Sequence, residues 1–507
     1  MATNKIEAIK SAKDGLDVLP DLQRYAIEGA QAIPDDDLER LKWYGLFHRK
    51  QTPGFFVLRI RMPNGVLTSE QLATIAEISN RCGRGAADLT TRQAIQLRWI
   101  TIQDAPWGLQ RLASVGLNSQ QSGMDSVRNV VGCPLAGLDA DELIDASSLA
   151  QRLQQAIVGR RFSNLPRKFN IAISGCREDC IHAQTNDLSF VAATLEGVAG
   201  FNVLVGGALG GQSPELAQPL DAFVTSAEVV PLAEAILETF RDCGDREKRK
   251  QTRLKFLIRE WGIDRFRAAV EQRLGRPLAH EGDSATTRHG GDHIGTPAQR
   301  QPDRNVVGCL VPVGRTSGDA LAEFGRLAAR YGSGEVRLTV QQNVLIPNVP
   351  DSRLDELLAE PLLAEYSPSP SHWVRSLVTC TGNDFCHFAQ TDTKGDGLRL
   401  ASALEQRYEI DRPVRIQVSG CPHACGQHRA GEIGLLGGGV RIDGEIQSAA
   451  TVFVGGKLGK DAQLAEEVAA SVPLDQLPEL VAEQVRNLRG PAAIRPREPA
   501  ILPVAVG

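Results

Sequence analysis

The chain has 507 residues, 42% apolar and 23% charged, with a formal net charge of −5. That length implies two to four domains rather than one core, and the acid excess argues against a general nucleic-acid binder. No apolar run is long enough to span a bilayer, and 10 cysteines are too few for a disulfide scaffold and suit free thiols in a reducing cytoplasm.

Residues 1–48 read as an N-terminal arm, helical and polar, and Met1 to Leu19 lacks the apolar core of a signal peptide. A strand pattern starts at Phe55 and runs through Phe56-Val57-Leu58-Arg59-Ile60-Arg61. Pro63-Asn64-Gly65 is turn chemistry. Thr68, with Gln71 three residues on, predicts a capping box. Leu72, Ile75, Ala76 and Ile78 then share one apolar helical face, which stops at Gly83. Leu89 to Leu97 reads as one further strand. In Leu165-Pro166-Arg167-Lys168-Phe169-Asn170, a strand would put Lys168 and Asn170 on one face, and Phe169, Ile171 and Ile173 on the other. Arg246, Lys248, Arg249, Lys250, Arg253 and Lys255 form a basic run. It could steer an acidic protein, but a solvated helix face is the expectation. Glycine, proline and glutamine between 275 and 303 mark a linker, and the Pro- and Ala-rich stretch from Arg489 reads as a loose tail.

The same unit occurs twice. Gly65, Leu72, Gly83, Leu89, Thr90 and Gln93 return at Gly314, Leu321, Gly332, Leu338, Thr339 and Gln342, each 249 residues later. Ile75 and Ile78 return as Phe324 and Leu327, and Val205 to Gly210 returns as Val454 to Gly459, at the same offset of 249. Gly175-Cys176 and Cys180 match Gly420-Cys421 and Cys425 at an offset of 245. These landmarks make the chain two homologous halves. Strand patterns alternating with capped helices give an α+β (α/β-like) fold with pseudo-twofold symmetry and a cleft between the halves. The expected division is arm 1–48, half-domains 49–115 and 304–365, larger domains 116–280 and 366–488, linker 281–303 and tail 489–507.

Two cysteine pairs lie in the second half, Cys380 with Cys386 and Cys421 with Cys425. Four thiols are enough for an iron–sulfur cluster. Zinc more often uses pairs two to four residues apart; the second pair would pass and the first is wide, so spacing leaves both readings open. Cys176 and Cys180 repeat the narrower spacing with only Cys133 near them, which reads as a relic of duplication holding no metal. His387, His423 and His428 lie near the thiols as supporting or surface residues. The halves also differ. Val306-Val307-Gly308 stands where the first has Val57-Leu58-Arg59, and Val340-Gln341-Gln342 where it has Thr91-Arg92-Gln93. A lone arginine is usually a solvated surface charge. Arg59 with Arg61, Arg92 with Arg98, Arg128, and Arg167 with Lys168 are four groups concentrated in one half, which points to an anion site there.

Cys380-Thr-Gly-Asn-Asp-Phe-Cys386 and Ser419-Gly-Cys421-Pro-His-Ala-Cys425-Gly426 resemble the signature of the assimilatory nitrite and sulfite reductases, and the likeness runs from about Tyr44 to about Gly459. The resemblance implies a [4Fe–4S] cluster on Cys380, Cys386, Cys421 and Cys425. It implies a sirohaem between the halves, with Cys425 bridging the two centres. It assigns Arg59, Arg128, Lys168 and Asn170 to the pocket that binds the anion. Arg92, Arg98 and Arg167 become partners of the sirohaem carboxylates, with Gln93, Gln341, Gln342 and Asn343 as further polar contacts; a tetrapyrrole with eight carboxylates requires such cations.

The reaction implied is six-electron reduction of nitrite to ammonium, with reduced ferredoxin as donor. No Gly-rich dinucleotide fingerprint suggests an internal nicotinamide or flavin site. Nitrite is favoured over sulfite because Asn170 stands where sulfite reductases resembling this chain usually carry a second lysine, and because Thr381-Gly382-Asn383 resembles the nitrite form. The alternatives are an assimilatory sulfite reductase, a non-catalytic iron–sulfur electron carrier and a zinc-stabilised structural protein. A cytoplasmic monomer without membrane or nucleic-acid partners completes the expectation.

Overall fold

The capping box at Thr68 forms as its spacing requires. Thr68 Oγ1 accepts from the Gln71 N–H at 3.1 Å, and the Gln71 side chain accepts from the Thr68 N–H at 3.0 Å. Two amides that the helix Ser69–Cys82 cannot pair internally are thereby satisfied. This computed structural model describes residues 4–211 and 213–497. They divide into two units, Met1–Ser369 with Leu458–Gln463, and Pro370–Lys457 with Leu464–Gly507.

The first unit opens with the helices Lys5–Ala12, Leu19–Glu28 and Asp35–Arg40. Five strands follow, β1 (Leu46–His48), β2 (Phe55–Arg59), β3 (Val66–Thr68), β4 (Ala86–Leu89) and β5 (Ile95–Thr101). The stretch expected as one strand from Leu89 to Leu97 is thus two antiparallel strands. The Thr90 N–H donates to the Ala94 carbonyl at 3.0 Å and the Gln93 N–H to Thr90 at 3.1 Å, with Gln93 at φ 50. A tight left-handed turn breaks the run and puts Arg92 at its tip.

Next come β6 (Val131–Gly132), β7 (Ile171–Ser174), β8 (Glu178–Asp179), β9 (Leu188–Leu195), β10 (Val198–Val205), β11 (Gln218–Val224), β12 (Asp283–Ser284) and β13 (Arg288–His289). The second repeat begins with β14 (Arg304–Cys309), β15 (Arg315–Ser317), β16 (Glu335–Leu338) and β17 (Val344–Pro350). The two half-domains exchange a strand. One sheet runs β1-β2-β5-β4-β15 and the other β14-β17-β16-β3. Ala86↔Ser317 in the first register is mirrored by Glu335↔Thr68 in the second. The exchange seals an edge of each sheet and makes the repeat a physical pseudo-twofold. The helices Ser69–Cys82 and Gly318–Tyr331 bury the expected faces in one core, with Leu72, Ile75, Leu321, Phe324 and Leu327 each 0% exposed. Phe324→Ala is expected to cost about 3–5 kcal/mol, read as a lower urea midpoint with unchanged m-value.

The larger sheet of the first repeat has order β11-β10-β9-β7-β6. The second unit contains β18 (Leu377–Thr379), β19 (Tyr408–Ile410), β20 (Ile416–Ser419), β21 (Ile433–Ile442), β22 (Glu445–Val454), β23 (Glu466–Pro473) and β24 (Ile494–Pro496). Its sheet has order β18-β20-β21-β22-β23, the same topology. The fold is α+β and duplicated. Two sequence expectations change. The segment read as a linker is paired along its length, β12 with β9 and β13 with β8, and Gly295 bridges Gly308. The expected tail is ordered through Pro496, because β24 pairs β19 and Arg489 bonds Glu432 at 2.7 Å; its remainder, 498–507, lies outside the described residues. No helix among the described residues is long and apolar enough to cross a membrane.

Candidate functional site

In the first unit, guanidiniums converge. Arg59 closes β2, half-buried, and its guanidinium lies 3.9 Å over the Phe47 ring. Arg92 sits on the β4–β5 turn. Arg128 leads towards β7, where Val127 bridges Phe169 and the Arg128 N–H donates to the Phe169 carbonyl at 2.8 Å. Its guanidinium donates to the Ser122 and Met124 carbonyls. Burial, then the charges of Arg59 and Arg92, and in part that of Arg167, push the Arg128 pKa well below the usual guanidinium range. Like charges brought together and desolvated are a cost, and an arriving anion relieves it.

The strand alternation expected around Asn170 is present. Phe169, Ile171 and Ile173 enter the apolar core beside Phe240, while Lys168 is half-buried and Asn170 is 3% exposed. The Asn170 N–H donates to Asp187 Oδ2 at 2.8 Å. Its side-chain oxygen is buried with no hydrogen-bond partner, an acceptor waiting for a donor.

Several side chains expected at the cofactor carry bonds within the fold. Gln93 donates to the Gly132 and Leu338 carbonyls at 2.8 and 2.9 Å and accepts from the Gly132 N–H at 2.9 Å. Its repeat mate Gln342 donates to the Leu89 carbonyl at 3.0 Å. Leu89 and Leu338 are themselves repeat mates, so the two glutamines clamp the half-domains reciprocally. Asn343 Oδ1 accepts from the Val311 N–H at 3.1 Å. Arg98 is buried against Asp88, which also takes Arg315 at 3.1 Å. These four side chains have structural roles that the sequence reading did not foresee. Gln341 keeps a buried side-chain oxygen without a partner, although its amide donates to the Gly291 carbonyl at 3.1 Å.

Sequence reasoning grouped Arg61 with the anion-site cations and read Arg249 and Arg253 as solvated, whereas the structure gives all three positioning bonds. Arg61, 2% exposed, donates to the carbonyls of Gln120, Gln121, Val127 and Arg128 and to Gln154 Oε1. It ties down the loop that presents Arg128, and burial lowers its pKa to about 9. Asp125, fully buried, receives Arg249 at 2.9 Å, Lys10 at 3.4 Å and Arg167 at 3.7 Å. Arg253 pairs with buried Asp187 at 2.7 Å. The basic run is therefore no solvated helix face: Arg249 and Arg253 neutralise interior carboxylates. Burial lowers the Arg167 pKa to about 10, with Arg249 adding to it.

Burial pushes the Asp125 carboxyl up, but Arg249, Lys10 and Arg167 overcome this and hold it below its ordinary 3.8. A depressed carboxyl stabilises above its unfolded pKa, and that stability is lost as pH falls through the folded value. Asp125→Asn is expected to lose about 3–5 kcal/mol at neutral pH and to flatten the loss of stability below pH ~4, both measured by urea titration.

In the second unit, the four cysteines gather at the ends of β18 and β20. The Cys380 N–H donates to the Val418 carbonyl at 3.0 Å, tying the two strands together. Cys380 Sγ accepts from the Gly420 N–H at 3.3 Å and from Gly382. Gln390 N–H donates to the Gly420 carbonyl at 2.8 Å, closing the loop that carries Cys386 over that of Cys421. A Cβ at Gly426 would stand 1.9 Å from the Val418 carbonyl, so only glycine allows the turn after Cys425. Burial, and the neighbouring thiols of Cys425, Cys386 and Cys380, push the Cys421 thiol up to about 12. All four sulfurs thus share one neighbourhood, and backbone N–H groups point at Cys380 and Cys421, as around cluster thiolates. Cys421 Sγ lies 3.4 Å from His423 Nδ1, and Phe388 stacks between His387 and His423 at 4.0 and 4.6 Å. His428 is buried against Phe453, and burial with Arg429 lowers its pKa to about 4, so it stays neutral.

Comparison with known proteins matches both halves. Residues 123–278 and 372–497 fit the nitrite and sulphite reductase 4Fe-4S domain, and residues 48–115 and 297–364 the nitrite/sulfite reductase ferredoxin-like half domain. A ferredoxin–nitrite reductase of Synechococcus elongatus is 47% identical over 486 residues, 94% of this chain and 95% of that protein. One from Leptolyngbya laminosa is also 47% identical, with 94% of each chain covered. The solved structure of the Mycobacterium tuberculosis NirA protein superposes with a TM-score of 0.89 at 33% identity, covering 96% of this chain and 94% of that one. The matched domains span both repeats, with the four thiols and the converging cations inside them, and the chain belongs to the nitrite and sulphite reductase family.

Proposed function

We propose that this chain is a ferredoxin-dependent nitrite reductase that converts nitrite to ammonium in nitrate assimilation. Nitrite, eight protons and six electrons give ammonium and two waters. The observation that carries the reading is the desolvated Arg128 guanidinium facing the charges of Arg59 and Arg92, together with likeness to named ferredoxin–nitrite reductases along nearly the whole chain.

The residues suit both prosthetic groups of the reading. Four converging thiols match a [4Fe–4S] cluster: Cys380, Cys386, Cys421 and Cys425 would hold it, and Cys425, the exposed one of the four, would also serve the sirohaem. Cations in excess of carboxylates at Arg92 and Arg167 match the acidic rim of sirohaem. When bound, the cluster and sirohaem supply single electrons and a metal that activates the anion. The chain supplies the rest. Arg59 and Arg128 hold the anion by charge-assisted hydrogen bonds. Lys168 can carry a proton to an oxygen as its N–O bond breaks. Asn170 offers its buried carboxamide oxygen to an N–H donor on the reduced species. The cations stabilise negative charge where it accumulates.

Lys168 and Asn170 also bear on substrate choice. Asn170→Lys adds a charge suited to a dianion, and the ratio of nitrite to sulfite turnover is expected to fall about tenfold; an unchanged ratio removes the charge argument. The division into arm, two half-domains and two larger domains, a monomeric state and a cytoplasmic location belong to the same proposal. Its direct test is ammonium formation from nitrite with reduced methyl viologen, run beside sulfide formation from sulfite. Sulfide as the faster product would overturn the assignment, as would a colourless protein.

A further inference from the structure

We propose that Cys133, Cys180 and His293, with Cys176 as fourth donor, bind a zinc ion in the first repeat. Among the described residues, the two Sγ atoms and an imidazole nitrogen of His293 form the one group of three such ligand atoms lying within 4.8 Å of one another. Cys133 is 1% exposed, Cys176 2% and Cys180 0%. Cys176 lies close enough to both other thiols for the three to perturb one another. His293 Nε2 is buried with no hydrogen-bond partner. The immediate wall is apolar, from Val131, Ala136, Ala172, Ile181 and Val340.

Three buried thiols alone could be inert small hydrophobes. An imidazole nitrogen turned into the same pocket without a partner does not fit that reading, since a buried polar atom left unpaired is costly. A zinc ion satisfies it. Bonds of about 2.3 Å to sulfur and 2.0–2.1 Å to nitrogen at tetrahedral angles place donors about 3.5–3.8 Å apart. Cys133, Cys180 and His293, within 4.8 Å of one another, need to close by about 1.0–1.3 Å at most, and Cys176 to move in beside them. Cys176 Sγ accepts from the Glu178 N–H at 3.3 Å and the Ser174 hydroxyl at 3.2 Å, contacts that would steady metal-bound sulfur, and as a thiol it donates to the Glu178 carbonyl at 2.8 Å, a bond that zinc would replace.

The fold delivers His293 deliberately. It lies in the segment between repeats, with β13 paired to β8 on one side and Gly295 paired to Gly308 on the other. A Cβ at Gly308 would stand 1.9 Å from the His293 carbonyl, so glycine there permits the approach. Glu178 and Asp179 of β8 lie between Cys176 and Cys180 in sequence, so one short strand pairing brings the segment to the thiols. The metal would staple the inter-repeat segment to the first repeat, and would occupy the position that corresponds, in the duplicated sheet, to the cluster thiols of the second.

The test uses the purified holoenzyme. Zinc per chain is measured by plasma mass spectrometry, and the zinc K-edge absorption of the unaltered protein reads its donors. The expected result is about one zinc per chain with sulfur at about 2.3 Å and nitrogen at about 2.0–2.1 Å. His293→Ala and Cys133→Ala should each lower zinc at least about fivefold, while exposed Cys243→Ala leaves it unchanged. Iron content and visible spectrum report whether each variant has folded, and His293→Gln replaces His293→Ala if that variant does not. The proposal is overturned by zinc below about a tenth per chain after zinc-supplemented growth, by zinc that persists in the folded His293 variant, by oxygen-only donors at the zinc edge, or by a Cys133–Cys180 disulfide in the native protein.

Discussion

Replacing Cys421 by serine is expected to cost the chain its cluster iron and its activity together. The side chain is 6% exposed at the end of β20, and its position is fixed on both sides. Gly420 holds Cys380 Sγ through its N–H at 3.3 Å, and the Gly426 N–H is held by Ser419 Oγ at 3.1 Å. A serine hydroxyl is a hard, weakly acidic oxygen and a poor replacement for a thiolate on iron–sulfur iron. It is also shorter-reaching, in a loop that cannot shift without driving Gly426 into the Val418 carbonyl. Iron should fall from roughly five per chain to one or fewer, and nitrite turnover with reduced methyl viologen to below about a thousandth of the parent, or about 4 kcal/mol in barrier. Cys243→Ser, an exposed thiol outside the group, is the control that should keep its iron. Full iron in the Cys421 variant would show that these cysteines do not hold the cluster.

What could be read from the sequence divides along a physical line. Local chemistry was legible: the Thr68–Gln71 cap, the Leu72–Ile78 face and the alternation around Asn170 all depend on neighbours within a few residues. The exchanged strands β3 and β15 were not, because a three-residue strand carries no signal for which sheet it joins. The gathering of guanidiniums was legible as asymmetry between repeats, since Gly308 and Gln341 stand where the first repeat has Arg59 and Arg92. The clamping glutamines follow the opposite rule. Gln93 and Gln342 are retained in both halves, and a residue kept where the functions differ is more simply a structural clamp, as their reciprocal bonds to Leu338 and Leu89 demonstrate. Arg98 breaks the symmetry yet pairs with Asp88; its partner lies across a strand pair whose register the sequence does not state. His293 was hidden by its setting, a Gly- and Pro-containing stretch whose composition signals a loop but not where that loop is pinned.

Removing the Arg128 charge should separate anion handling from cofactor loading. The guanidinium is anchored by the Ser122 and Met124 carbonyls, and its loop is held independently by Arg61. A substitution at 128 therefore leaves the backbone support in place. Burial, then the charges of Arg59 and Arg92, depress its pKa against the partial offset of Asp125, so the folded chain bears a repulsion that a bound anion would relieve. Arg128→Met relieves that repulsion and deletes a donor aimed at the anion. The expected kcat/KM for nitrite falls by about 10²–10³, or roughly 3–4 kcal/mol, with iron content and visible spectrum at parent levels. Arg128→Lys keeps the charge but loses the planar fork, and should sit between, at about a tenfold loss. If the pocket binds by charge alone, the two variants diverge widely; if fork geometry dominates, lysine falls almost as far as methionine. A methionine variant that keeps kcat/KM within about threefold of the parent would move the anion site away from this cluster of guanidiniums altogether.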